Sequence, residues 1–380
     1  MAEIVPFNKP HMTGKELYTI AQAHFNSVLA GDGPYTRLCH KRLEEMCHSQ
    51  KVLLTHSCTA ALEMQSLLLA IGEGDEVIMP SYTFVSTANA VVLRGGVPVF
   101  VDIRADTLNI DETLVAQAIG KKTRAIAPVH YAGVGCEMDT LLAIAKQHNL
   151  MVIEDAAQGF MATYKERPLG SIGHLGALSF HETKNVICGE GGALLVNDAQ
   201  FSLKAEIIRE KGTDRSRFFR GEVDKYTWQD IGSSYLPGEL VAAFLWAQLE
   251  EACEITANRL ASWERYHTLL ADLEAQELLR RPIVPAECRQ NGHMYYILLH
   301  PRFDRQRVLS GLKENGIHAV FHYVPLHTAP AGRKYCRVHG SLSVTEDSAS
   351  RLIRLPLWYG IPEAMQIRTV EVLGSLLRNA

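Results

Sequence analysis

The chain has 380 residues, 47% of them in the hydrophobic set and 21% charged, with a formal net charge of -4. That is ordinary globular composition with length for about two domains, and a pI near 6.5 gives no global basic field for nucleic acid or an anionic membrane. No apolar run approaches the roughly 18 residues of a membrane span. The eight cysteines form no CxxC pair, which argues against a disulfide framework or a zinc module.

The N-terminus, Met1 to Pro6, lacks the basic and apolar regions of a signal peptide, so a cytoplasmic location is the expectation. From residue 50 to 200 short apolar runs alternate with amphipathic stretches. The runs predict strands at Lys51 to Thr55, Glu76 to Pro80, Val97 to Asp102, Ala125 to His130, Met151 to Glu154, Ala177 to Phe180 and Ala193 to Val196. Between several of them, helices are predicted at Thr59 to Ile71, Glu112 to Ile119 and Asp139 to His148. This rhythm predicts an α/β fold with a mainly parallel sheet covered by helices. A charged, irregular stretch follows at 201 to 235. A long helix is predicted from about Leu240 through Leu270, its first part apolar all round and so buried between bodies or subunits. Beyond it the pattern shifts to a smaller α+β unit: a strand at Met294 to Leu299, a helix at Arg305 to Asn315, a strand at Ala319 to Tyr323 and a last helix from about Glu363. The expected division is a large α/β domain over 1–250 and a small α+β domain over 251–380.

Two strand ends carry the chemistry. Met151-Val152-Ile153 runs into Glu154-Asp155-Ala156-Ala157-Gln158, and Ala177 to Phe180 runs into His181-Glu182-Thr183-Lys184. Ligands of parallel sheets sit at the carboxyl ends of strands. A buried acid needs a partner, which a helix N-terminus or an arginine could supply. A lysine past a strand end can simply snorkel. Together the two residues fit pyridoxal 5'-phosphate (PLP): Lys184 to hold the cofactor covalently, Asp155 to keep its ring nitrogen protonated. Gln158 could donate to the ring oxygen, or be an ordinary polar loop residue.

Weaker signals surround this pair. Ser57-Cys58-Thr59-Ala60-Ala61-Leu62 lies between a strand and a helix, where small residues and the helix N-terminus suit a phosphate, although a plain N-cap explains Ser57 or Thr59 equally well. Ser179 could add a hydroxyl. Phe84 could stack on a cofactor face, with Tyr82 the weaker candidate. His181 could aid proton transfer. His322 and His327 flank Tyr323-Val324-Pro325-Leu326, a turn better suited to substrate than to metal. Gly189-Glu190-Gly191-Gly192 reads as a tight turn with positive φ and fits no nucleotide fingerprint.

The series S-C-T-A-A-L-E, P-S-Y-T-F-V-S-T-A-N-A, V-H-Y-A-G, E-D-A-A-Q, S-F-H-E-T-K-N and G-E-G-G-A resembles the DegT/DnrJ/EryC1/StrS family of PLP-dependent sugar aminotransferases over nearly the whole chain. The resemblance implies the fold-type I architecture and a homodimer with active sites at its interface. It implies catalytic roles for Lys184 and Asp155 and cofactor contacts from Gln158, Phe84, Thr59, Ala60 and Ser179. Many relatives carry G-x-N-x-R-M, whose asparagine reaches the neighbouring subunit's phosphate. Here Gly232-Ser233-Ser234-Tyr235-Leu236 puts Ser234 in that place.

The further runs R-G-E-V-D-K-Y-T-W and V-F-H-Y-V-P-L-H resemble the branch that transfers an amino group from L-glutamate to C4 of dTDP-4-dehydro-6-deoxy-D-glucose. His181, Tyr323, His327 and Arg220 are the candidate substrate contacts on that reading, and no metal is expected. The competing readings are an aminotransferase for another keto-sugar nucleotide and a non-catalytic relative. A sugar 3-dehydratase, in which histidine replaces the lysine, fits poorly with Lys184.

Overall fold

The computed structural model describes residues 3–379. An eight-stranded sheet organises the larger part. Its strands run, in spatial order, Lys51–Thr55, Gly192–Val196, Leu175–Ser179, Met151–Asp155, Thr123–Ile126, Glu76–Pro80, Val97–Val101 and Arg337–Val338. Five of the neighbouring pairs are parallel; only Gly192–Val196 runs antiparallel to both its neighbours. The central strands are buried on both faces, as a helix-covered parallel sheet requires. Helices such as Cys58–Leu68, Val85–Val92 and Met138–His148 form the covering layers.

The predicted long helix is two. Glu239–Glu250 ends at Glu251, whose backbone leaves the helical region (φ -103°, ψ 7°), and Ala252–Leu269 follows. The first helix presents Ala242 and Ala243 to helices Glu16–Phe25 and Pro34–Cys47. The small side chains let Thr19 Oγ1 donate to the Ala243 carbonyl at 2.8 Å. Cys39 Sγ donates to the Ala242 carbonyl at 3.3 Å.

C-terminal residues build a three-stranded antiparallel sheet, Leu279–Arg280, Tyr295–Leu299 and Leu352–Leu355, over helices Ala252–Leu269, Arg305–Glu314 and Glu363–Arg378. Val5 completes this core from the N-terminus, and Arg337–Val338 returns to the edge of the large sheet. The predicted strand at Ala319 to Tyr323 is not one. Only Val320 bridges, to Arg354, because His322 and Tyr323 turn toward a cavity instead of a neighbouring strand. The strand Leu352–Leu355 takes its place. Among the described residues, no helix is long and apolar enough to cross a membrane.

Candidate active site

A cavity of about 600 Å³ opens where the carboxyl ends of strands Met151–Asp155 and Leu175–Ser179 face the C-terminal unit. Lys184, Asp155, Gln158, Ser179, Thr59 and Phe84 all line it.

Strand alternation divides the two adjacent acids. Glu154 points away from the cavity and is fully buried. It accepts the backbone N–H groups of Gly170, Ile172 and Gly173 at 2.9, 2.7 and 2.5 Å, and His130 Nε2 donates to it at 2.8 Å. Asp155 points into the cavity. Its Oδ2 accepts Thr87 Oγ1 at 2.7 Å and its Oδ1 accepts the Ala157 N–H at 3.1 Å.

Lys184 lies in the connection between the antiparallel strands Leu175–Ser179 and Gly192–Val196. The connection is closed by Phe180 N–H to the Gly191 carbonyl and by Cys188 N–H to the Phe180 carbonyl. Gly189 has φ +81° there, the conformation its position in the turn predicts. Gly192 has a different reason: a Cβ on it would lie 2.4 Å from the Cys58 backbone nitrogen, so only glycine lets helix Cys58–Leu68 approach. Burial pushes the Lys184 amine below its ordinary value, offset in part by Cys58 and Asp155.

Helix Cys58–Leu68 starts at the cavity wall. Ser57 caps it, accepting the Ala60 N–H at 3.1 Å. That commits the amide of Ala60, a predicted phosphate contact, and Ala60 does not line the cavity. The N–H groups of Cys58 and Thr59 have no hydrogen-bond partner among the described residues, which leaves two aligned donors at a helix N-terminus.

Gln158 is fixed at both ends of its amide. Its Oε1 accepts the Ala132 N–H at 2.7 Å, and its Nε2 donates to the Tyr323 hydroxyl at 2.8 Å. One amide hydrogen is left for a ligand oxygen. Tyr323 stacks on His322 with centroids 3.6 Å apart, and the His322 Nδ1 lies 2.7 Å from the Tyr131 hydroxyl. His181, at the mouth, pairs with Thr183 Oγ1 at 2.9 Å and stands 3.5 Å from Glu190.

Besides Ala60, three expected contacts lie elsewhere. Arg220 is held by Glu206 and Glu222 on the surface, so its charge is already matched within this chain. The His327 ring bridges Ser81 and Glu346 at 2.8 and 3.0 Å and pins its turn instead of facing the cavity. Ser234 is exposed and bridges to Glu210, outside the cavity of its own chain. Conversely, Arg354, His293 and Thr83 line the cavity and had not been anticipated. Arg354 could have been flagged as Lys184 was, by a cation inside the apolar run Leu352-Ile353-Arg354-Leu355. Its Nε is buried without a partner among the described residues.

A family model of the DegT/DnrJ/EryC1/StrS aminotransferases matches residues 10–373. The chain belongs to that family. It is similar to the spore coat polysaccharide biosynthesis protein SpsC of Bacillus subtilis, at 32% identity covering 99% of this chain and 98% of SpsC. Among solved structures it is similar to a DegT/DnrJ/EryC1/StrS aminotransferase from Brucella abortus (29% identity, TM-score 0.87, 95% of each chain). It is also similar to DesV of S. venezuelae (27% identity, TM-score 0.90, 100% of each chain). The chain is accordingly a PLP-dependent sugar aminotransferase with the fold of that family.

The cavity fits PLP on its own geometry. It offers an amine, an oriented carboxylate, a spare amide hydrogen, and two unpaired backbone donors at a helix N-terminus of the kind that binds phosphate. Bound there, the cofactor supplies an electron sink for carbanion chemistry next to its ring.

Proposed function

We propose that this aminotransferase takes its amino group from L-glutamate and delivers it to C4 of dTDP-4-dehydro-6-deoxy-D-glucose, giving dTDP-4-amino-4,6-dideoxy-D-galactose and 2-oxoglutarate. The reaction serves polysaccharide biosynthesis, a role supported by the likeness to SpsC, and the expected location is the cytoplasm. The observation that carries the reading is Lys184 in one cavity with the acid Asp155 and the cation Arg354.

The roles divide by chemistry. Lys184 holds the cofactor, and its freed amine moves a proton at the substrate carbon. Asp155, oriented by Thr87, holds the positive ring nitrogen. Cys58 and Thr59 N–H groups with the Ser179 hydroxyl take the phosphate, and Phe84 packs over the ring. Arg354, walled by the Phe7 ring at 4.8 Å, meets the donor's carboxylate, for which a guanidinium fork is the best partner. The C4 and dTDP choices are supported by the runs R-G-E-V-D-K-Y-T-W and V-F-H-Y-V-P-L-H.

The working form is a homodimer. Phe219, Trp228 and Ile231, in the stretch of chain before Ser234, are more than half exposed, and so are Leu17, Tyr18 and Phe25 on helix Glu16–Phe25. Apolar exposure of this extent on a folded chain calls for a cover, and a second copy would bring Ser234 to the neighbouring phosphate. The test is 2-oxoglutarate release from L-glutamate with dTDP-, UDP- and GDP-linked 4-keto and 3-keto sugars. Fastest turnover with the dTDP 4-keto sugar supports the reading. Preference for another nucleotide or carbon overturns the substrate assignment and leaves the aminotransferase intact.

A further inference from the structure

Arg354 reaches the cavity from strand Leu352–Leu355. Its backbone is fixed: the N–H donates to the Val320 carbonyl at 2.7 Å, and the carbonyl accepts the Val320 N–H at 3.1 Å. Its guanidinium is held differently. Among the described residues no carboxylate pairs with it and no acceptor meets its N–H groups. Burial makes the charge costly and holds this arginine below its ordinary value.

What the guanidinium meets is the ring of Phe7. Its central carbon lies over that ring, 4.8 Å from the centroid, within the range where an aromatic face attracts a cation. An ion pair would hold the guanidinium by using up its N–H groups. A ring face holds it and leaves all five for a ligand.

Phe7 is itself tied down from far along the chain. Two residues before it, the Val5 N–H donates to the Gly316 carbonyl at 2.9 Å and the Val5 carbonyl accepts the His318 N–H at 3.0 Å. The Phe7 carbonyl accepts the Leu357 N–H at 3.3 Å. After it, the His11 ring stacks on Tyr359 with centroids 3.7 Å apart. Residues 5–11 therefore form a strap on the C-terminal unit. The segment that Val5 joins is also the one whose Val320 pairs with Arg354.

We propose that Phe7 is a positioning residue for the amino donor: its ring steadies the Arg354 guanidinium before the donor arrives, and the N-terminal strap is thereby a wall of the donor site. The inference rests on Arg354 meeting the donor's carboxylate. A long side chain ordered only on binding subtracts from affinity. Phe7 removes that cost in advance without occupying an N–H. Its effect falls on donor binding and not on the proton transfer that follows.

The measurement is the bleaching of the PLP-loaded enzyme by L-glutamate in single turnovers, which separates the apparent Kd of the donor from the limiting rate. Phe7→Leu and Phe7→Met keep apolar bulk without a ring. Each is expected to raise that Kd about 5- to 10-fold and to leave the limiting rate nearly unchanged. Phe7→Tyr keeps the ring and is expected to stay within about twofold of the wild type. In an Arg354→Met background, Phe7→Leu is expected to add nothing further. An unchanged Kd in both ringless variants, or an equal rise in the two backgrounds, gives Phe7 a packing role and overturns the proposal. Arg354→Met alone separates the underlying reading: a wild-type Kd for L-glutamate in that variant removes Arg354 from the donor site, whatever Phe7 does.

Discussion

Thr87 Oγ1 donates to Asp155 Oδ2 at 2.7 Å across the cavity wall, joining helix Val85–Val92 to the end of strand Met151–Asp155. Thr87 is also bonded by Thr83 Oγ1 at 2.9 Å, one helical turn before it. The acid is thus held from its flank while the Ala157 N–H engages the other oxygen. A carboxylate placed against a positive ring nitrogen loses much of its effect if it can rotate.

This gives a graded pair of variants. Asp155→Asn removes the charge and is expected to lower kcat by about 10²-fold or more. Thr87→Val keeps the shape and removes one hydrogen bond to a charged group, with an expected loss of about tenfold. Steady-state kinetics on both, with cofactor content checked, tests the ranking. Equal losses would contradict the orienting role.

Arg354→Met should raise KM for the amino donor by about 10- to 100-fold, the worth of a hydrogen-bonded charge pair, and leave KM for the keto sugar nearly unchanged. Arg354→Lys should restore little, because an ammonium lacks the two-pronged fork. A larger effect on the sugar than on the donor would move Arg354 to the other substrate.

Glu154 tests stability and not chemistry. Its two oxygens accept three backbone N–H groups and His130 with no access to water. Glu154→Ala should cost about 3–5 kcal/mol, because the donors of the Gly170–Gly173 turn and His130 are left buried and unmatched. Urea unfolding of the cofactor-loaded protein measures it, and a loss below about 1 kcal/mol would show that water replaces the carboxylate.

Arg337 meets Glu76 with two hydrogen bonds, at 2.7 and 2.9 Å, where the C-terminal unit joins the large sheet. The Arg337 guanidinium holds the Glu76 carboxyl below its ordinary value. A carboxyl lowered in the folded state contributes stability above its unfolded pKa, and that contribution fades as pH falls through the folded value. Stability at neutral pH should therefore drop by about 1 kcal/mol in Glu76→Gln, since the arginine is partly exposed. Below about pH 4 the variant and wild type should converge. A constant difference down to acid pH would contradict this.

Much of this site was legible in the chain because its acid and its lysine interrupt apolar runs at strand ends, and strand ends of parallel sheets are where ligands sit. The strands Lys51–Thr55 and Glu76–Pro80 read at their true bounds for a related reason, a short apolar run closed by polar residues. The break at Glu251 could not be read, since helical periodicity continues through it and only tertiary packing separates the two halves. Residues 319–323 looked like a strand by their β-formers, but cavity contacts decided their backbone. Thr87 and His293 were invisible because their partners lie 68 and 108 residues away. Arg220 misled in the opposite direction: a basic cluster suggested a diphosphate site, while acids only 2 and 14 residues away, Glu222 and Glu206, already neutralise it.

The most direct test of the central claim is the visible spectrum of the purified holoenzyme before and after L-glutamate, with dTDP-4-dehydro-6-deoxy-D-glucose added last. A yellow protein that bleaches with glutamate and regains its colour with the keto sugar is the expected result, since donor and acceptor then act in turn on one cofactor held by Lys184. A protein that stays colourless after PLP is supplied, or colour that glutamate leaves unchanged, would contradict the account.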